Sequence, residues 1–206
     1  MDIERLYLPF YRLFRTRRMR RFWDCFGLTA DTRVLDIGGG QLNWSLLPTS
    51  PHLVLLNLSP LKSRSTTVRI VTDGRHLPFR DGAIDVAYSN SVVEHLGDSR
   101  SQQVFAGEVR RVARRYYVQT RNRWFPIEPH FLTPFVHFLP KPIQKHLLRS
   151  FTIRGLLARP TSGHRDRLLQ GLRLLDEREL RRLFPDAEVW HERVLGLTES
   201  LIAVRL

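Results

Sequence analysis

A short β-favouring run that ends in three consecutive glycines, Val34-Leu-Asp-Ile-Gly-Gly-Gly-Gln-Leu42, constrains this chain more than any other feature. Glycine gives up more backbone freedom on folding than any other residue, so a triplet marks a place where the chain must turn tightly or let something approach its backbone. Thr32 to Ile37 is the strand that feeds the turn, and a helix is expected after it. Further strand-like runs follow at His52–Leu58, Thr67–Thr72, Ala83–Ser89 and Arg115–Thr120. Several are too apolar for half-exposed strands and suit a parallel sheet covered on both faces. Between the fourth and fifth, Ser99–Ala113 carries Val104, Phe105, Val109 and Val112 at helical spacing. Strand and helix in alternation predict an α/β sheet.

The flanks read differently. Over residues 3–26, Leu6, Phe10, Leu13, Phe14, Phe22, Trp23 and Phe26 alternate with arginines, which predicts one or two amphipathic helices broken near Pro9. This segment either packs on the domain with its arginines in water, caps a ligand pocket or lies on a membrane surface. Cys25, the single cysteine, is read as a small buried apolar residue. From Trp124 to Pro160 the alternation breaks: residues 124–148 hold five prolines, three histidines and many aromatics, and we expect an inserted cap of short helices and turns over the carboxyl edge of the sheet. Asp176 with Glu179 three residues on forms a capping-box pattern at the start of a last helix that Pro185 ends. Ala187–Arg193 and Glu199–Arg205 are then expected to pair as an antiparallel hairpin.

A chain of 206 residues makes one domain. We divide it into an N-terminal helical cap (1–30), a ligand-binding core (31–123), the inserted cap (124–173) and the last helix with its edge strands (174–206). The absence of eighteen consecutive apolar residues argues against a spanning helix, and an acidic start interleaved with arginine argues against a signal peptide. With one cysteine, this places the protein in the cytoplasm. The formal charge of +13 is almost all arginine, Lys62, Lys141 and Lys145 being the only lysines. Such an excess fits solvated surface, an anionic membrane or an anionic small substrate better than nucleic acid.

The glycine turn fits neither common phosphate-binding pattern. Gly38 and Gly40 match the dinucleotide fingerprint, but Asn43 stands at its last position, and the Gly-Lys-Ser/Thr of a phosphate loop is missing. An acid two residues ahead of the first glycine suggests a ligand with an amino-acid end: Asp36 near an ammonium, helix N-terminal amides near a carboxylate. The ordered motifs VLDIGGG (34–40), LLNLSP (55–60) and TDGRHLPFRDGAIDVAYSNSVVEHL (72–96) resemble the class I S-adenosylmethionine (SAM)-dependent methyltransferases of the "type 11", ubiquinone/menaquinone-biosynthesis-like group, and RYYVQTRNRWFPIEPHF (115–131) resembles a bacterial subgroup of unassigned substrate. That resemblance implies a Rossmann-like, doubly wound, mostly parallel seven-stranded sheet with an antiparallel edge hairpin, a SAM cofactor and S-adenosylhomocysteine (SAH) as its product.

Carried over residue by residue, the resemblance places Gly38, Gly39 and Gly40 along the methionine part of SAM, with Asp36 beside its ammonium. Asn57, followed by Leu58, stands where the family has an acid that grips both ribose hydroxyls; an amide can accept from one and donate to the other but lacks the strength of a carboxylate. Asp73 would accept from the adenine amino group and Gly74 would meet the ring by its backbone, although Asp73 is equally suited to a turn. Ser89 and Asn90 would present backbone near the sulfonium.

Methyl transfer needs alignment and exclusion of water more than acid–base chemistry. A base is required only if the acceptor must lose a proton, and His130 and His95 are the candidates, with Glu128, His137 and His146 nearby. His95 is also suited to a helix start. Spaced metal ligands of the HExxH kind are missing, and no metal is expected. The expected partner is a small-molecule acceptor (a lipid, glycan or secondary metabolite), with peripheral contact to an anionic membrane. The alternative is a methyltransferase-fold module that binds RNA or a protein and no longer transfers methyl groups. Oligomeric state is not legible.

Overall fold

The structure, a computed structural model, describes residues 16–45, 47–48, 50–60, 67–128, 133–140, 143–144 and 171–206. In chain order these form α1 (16–26), β1 (Arg33–Ile37), α2 (Gln41–Trp44), β2 (His52–Asn57), β3 (Val68–Val71), β4 (Ile84–Asn90), a 3₁₀ turn (Val93–His95), α3 (Ser99–Val112), β5 (Ala113–Arg121), β6 (Ile127–Glu128), β7 (Thr133–Pro134), a second 3₁₀ turn (Val136–Phe138), α4 (Glu177–Leu183), β8 (Glu188–Val194) and β9 (Leu197–Arg205). Seven strands make one sheet in the order β3-β2-β1-β4-β5-β9-β8, and β6 pairs with β7 separately. All neighbours from β3 to β5 are parallel; β9 runs antiparallel to both β5 and β8. This is the doubly wound α/β sheet anticipated above, and the five core strands and α3 begin and end within two residues of the runs read from sequence.

Alternate residues of each strand face opposite sides, and each side has its own helices. Leu35, Ile37, Ala87, Val118 and Ala203 pack with Phe105, Val109 and Val112 of α3 and with Leu180 and Phe184 around α4. Val34, Tyr88, Tyr117 and Ile202 pack with Met19, Phe22 and Phe26 of α1 and with Trp44 of α2. Phe22 is fully buried, 4.9 Å from the Tyr88 ring and 5.3 Å from Tyr117, and Tyr88 stacks on Tyr117 at 5.5 Å. Each such pair is worth about 0.5–1.5 kcal/mol beyond the area it buries. The 16–26 part of the N-terminal segment is therefore a packed helix rather than a free surface one. Cys25 departs from expectation: it is exposed, because the buried stripe of α1 passes through Met19, Phe22 and Phe26 and leaves position 25 on the outer side. The Pro9 break lies outside the described residues.

Local signals set the element ends. Asp98 caps α3 by accepting from the Ser101 amide at 2.8 Å, and the capping box is present in full, with Asp176 accepting from the Glu179 amide and Glu179 accepting from the Asp176 amide. Leu195 and Gly196, both at positive φ, turn β8 into β9, the conformation a two-residue hairpin requires. The helix after the glycines differs from expectation in length: α2 is a single turn. Of the inserted cap, the described parts are β6, β7, the second 3₁₀ turn and residues around them; the rest, His146 included, lies outside the described residues.

Candidate active site

The sheet reverses its winding between β1 and β4, and ligands of open α/β sheets bind at such a switch point, off the carboxyl ends of the strands. A crevice of about 340 Å3 opens there. Gly38, Asn57, Leu58, Asp73 and Gly74 line it, over an apolar floor that includes Ile37, Leu56 and Val92. The volume is at the small end of the range for ligand pockets. A larger cavity of about 710 Å3 lies between α4 and the β8–β9 hairpin, and among its described lining is none of the candidate cofactor or catalytic residues.

Two of the three glycines have separate structural reasons to be glycine. Gly38 has φ +79°, and a Cβ there would lie 2.4 Å from Val92 Cγ2. Its amide donates to the Leu56 carbonyl at 2.7 Å, which ties the turn to β2. Gly39 sits against the carboxylate of Asp36, with a Cβ falling 2.0 Å from Oδ2. Gly40 has φ −138°, ψ 164°, open to any residue, and nothing among the described residues within 4 Å of where its Cβ would be. Neither backbone conformation nor internal packing asks for glycine at position 40.

Asp36 is fully buried on the α1 side of β1. Its Oδ2 accepts from the Trp44 indole Nε1 at 2.7 Å, while Oδ1 has no hydrogen-bond partner among the described residues. Burial pushes its carboxyl up to about 7, against the opposing hydrogen bond from Trp44. Asn57 donates from Nδ2 to the Gly39 carbonyl at 2.9 Å, so one of its two amide hydrogens is committed to the glycine turn while its oxygen can accept from a ligand. Asp73 does take up a turn: its Oδ1 accepts from the Arg75 amide at 2.9 Å. The Arg75 side chain also grips both carboxylate oxygens, holding Asp73 below the usual carboxylate range, and reaches Ser101 Oγ at 3.1 Å. Gly74 packs under Phe105 and Ile37, where a Cβ would meet Phe105 Cε2 at 3.0 Å.

The remaining positions are dispersed. Ser89 is buried and donates to the Ile37 carbonyl at 3.3 Å. The Asn90 side chain turns to the opposite side and accepts from Arg18 of α1 at 2.6 Å; Arg18 is in turn paired with Glu192. His95 is exposed on the 3₁₀ turn after β4. His130 lies outside the described residues, as does the Glu128 side chain, and His137 lies within hydrogen-bond distance, 3.1 Å, of the Arg123 carbonyl. Among the described residues, no group of three or more His, Cys, Asp or Glu is placed to hold a metal, and no helix is long and apolar enough to cross a membrane.

Sequence reasoning missed a polar seam across the carboxyl ends of β4 and β5 and the amino end of the antiparallel β9. Ser91, at φ +57°, donates to Gln119 Oε1; Gln119 donates to Ser200; Thr120 donates to the buried Glu94 at 2.9 Å. Its signal was present in the Gln119-Thr120 pair, which follows the Tyr116–Val118 run at the carboxyl end of β5, the neighbour of β4. Trp44 was missed as well, since in sequence it is one apolar residue of a helix.

Residues 35–116 match the family model described as a methyltransferase domain. No curated protein matches the chain in sequence. Among solved structures, magnesium protoporphyrin IX methyltransferase from Synechocystis PCC 6803 with bound SAM is 12% identical, covers 95% of this chain and 82% of its own, and superposes with a TM-score of 0.54. The YcgJ protein of Bacillus subtilis is 18% identical over 85% of this chain and 70% of its own, at 0.52. A Rhodobacter sphaeroides protein provisionally described as a Zn-dependent alcohol dehydrogenase reaches 0.60 at 10% identity, over 91% and 88%. At such identities these likenesses establish the fold alone, and the chemistry rests on the matched domain and its motifs. The strand order, the glycine turn at the switch point and the family match agree: residues 35–116 match a methyltransferase domain, carried on the Rossmann-like fold of SAM-dependent methyltransferases.

Proposed function

We propose that the protein transfers a methyl group from SAM to a small-molecule acceptor, a lipid, glycan or secondary metabolite, and releases SAH. The observation that carries this is Gly40: nothing among the described residues needs a glycine there, so we take the need to come from a ligand that passes close to the backbone. Asp36 fits the same ligand, since a buried carboxylate with an unpartnered oxygen beneath the turn suits the ammonium of an amino-acid end. When bound, SAM supplies a methyl group already activated on a sulfonium. The chain's own residues have four tasks. The Gly38–Gly40 backbone leaves room, Asn57 offers its amide oxygen to a ribose hydroxyl, Asp73 and Gly74 border the adenine end, and the apolar floor keeps water out. Where the acceptor must lose a proton, His130 and His95 are the proposed bases. His130→Ala is expected to lower turnover more than SAM affinity; the reverse would move it to the cofactor site.

Arg17, Arg20 and Arg21 on the outer side of α1 favour peripheral contact of a cytoplasmic enzyme with an anionic membrane. Sedimentation with anionic vesicles at low salt tests this, and no binding rejects it. A second reading, a module that binds RNA or protein without methyl transfer, draws on the grip of Arg75 on Asp73. Calorimetry with SAM and with SAH separates the two. Micromolar binding of either supports the enzyme; binding of neither by folded protein refutes it and favours the module.

A further inference from the structure

Trp44 is 3% exposed and its indole N–H points into the sheet rather than to solvent, bonded to a carboxylate that is itself fully buried. Its ring is held in turn by Phe22 of α1 at 6.0 Å and Tyr88 of β4 at 5.6 Å, both edge-on. The Asp36 carboxylate therefore cannot rotate freely: Oδ2 is tied to Trp44, and the Gly39 backbone closes over the group. We propose that Trp44 is a positioning residue for the cofactor's amino-acid end, holding Asp36 by Oδ2 so that Oδ1 alone is left, beneath the glycine turn, to receive an α-ammonium group directly or through one water. This rests on the SAM reading above and adds a residue, and a linkage between the N-terminal helix and the cofactor, that the family motif does not specify.

The arrangement has a consequence for protons. Free of ligand, a carboxyl this deeply buried holds its proton into the neutral range, and it must give that proton to solvent when a cation settles beside it. Few other groups act on it. Across β1, Asp36 lies beside Leu55 of β2 and Tyr88 of β4. Tyr88 is held neutral by its own burial, and the charges that face Tyr88, Arg18 of α1 and Glu192 of β8, are paired with each other. SAM affinity should therefore rise as pH climbs from 5.5 to about 7 and level off above it, with a proton released on binding below pH 7. Removing the Trp44 donor raises the Asp36 pKa further, which moves that inflection to higher pH.

The test is calorimetric titration of the full chain with SAM and SAH from pH 5.5 to 7.5, in two buffers of different ionisation enthalpy. Wild type should release up to one proton per SAM at pH 6, and Asp36→Asn should release none. Trp44→Phe should bind about tenfold more weakly than wild type at pH 6 for each unit by which its inflection moves, and the two should converge as pH rises. Trp44→His, which returns a ring N–H, should recover part of the loss and serves in place of Trp44→Phe if the latter melts early. In an Asp36→Asn background, Trp44→Phe should cost nothing further. A purely structural role would instead weaken binding equally at every pH and in both backgrounds, and that result overturns the proposal, as does SAM binding by wild type without proton release. Wild type that binds neither SAM nor SAH sinks the methyltransferase reading itself. Wild type that binds while folded Trp44→Phe and Trp44→His match it at all pH values sinks only the assignment of Trp44.

Discussion

Alanine at position 40 should separate folding from ligand binding more cleanly than any other single change. Gly40 sits at φ −138°, ψ 164°, with nothing within 4 Å of the added methyl, so Ala is accommodated without strain. A glycine-to-alanine change at such a position reduces the freedom of the unfolded chain and typically adds about 0.4–1 kcal/mol of stability. In a chain of this size that is a rise of about 1–4 °C in Tm. Gly38→Ala runs the other way: φ +79° costs an L-residue about 1–3 kcal/mol, and the methyl meets Val92 Cγ2 at 2.4 Å. Gly39→Ala drives a methyl into the buried Asp36 carboxylate and should also destabilise. Thermal melts of the three variants without ligand should therefore rank Gly40→Ala at or above wild type and the other two clearly below it. Calorimetry with SAH should show Gly40→Ala at least about tenfold weaker than wild type, a loss of about 1.4 kcal/mol or more. A Gly40→Ala protein that binds SAH as wild type does would refute the inference that a ligand dictates this glycine.

Other variants test neighbouring parts of the site. Asp36 carries a carboxyl raised from 3.8 to about 7, so the folded state holds its proton more tightly than the unfolded chain; that stabilisation is complete below about pH 4 and is lost as pH rises to 7. The three-unit gap bounds the loss at roughly 4 kcal/mol, and Asp36→Asn without ligand should accordingly melt higher than wild type at pH 8 and alike at pH 4, with equal Tm at both values counting against burial as the cause. Asn57→Asp would set an acceptor 2.9 Å from the Gly39 carbonyl in place of a donor, and should lower Tm by an amount equivalent to about 1–3 kcal/mol; unchanged Tm would mean that the bond contributes nothing. Asp73→Ala should weaken SAM binding clearly while changing stability little, because its ion pair with Arg75 is partly exposed; SAM affinity equal to wild type would remove Asp73 from the cofactor site.

The core of the fold was legible because it is written in local signals. Apolar runs bounded by turn residues located β1, β2, β3, β4 and β5, and the Asp98 and Asp176 caps act within three residues of themselves. The switch-point crevice was legible in part: Gly38, Asn57, Leu58, Asp73 and Gly74 line it because strand ends at a switch point converge in any sheet of this order. Arg75 taking both oxygens of Asp73, and Asn90 turning to Arg18, were not legible, since each side chain chose among partners that only the packed neighbourhood offers. Cys25 shows the same limit in miniature. Its aromatic neighbours suggested burial, while the helical phase that decides the matter is set by which stripe meets the sheet.

Sequence alone therefore determined the alternation of strand and helix, the position of the glycine turn and the class of ligand it suits, all of which depend on residues near one another along the chain. Tertiary structure decided that Gly38 and Gly39 answer to different demands while nothing among the described residues demands Gly40, and that a tryptophan eight residues on holds the acid of β1. Those outcomes depend on which surfaces meet when helices close over both faces of the sheet, and contact across a core is not encoded in the spacing of any one segment.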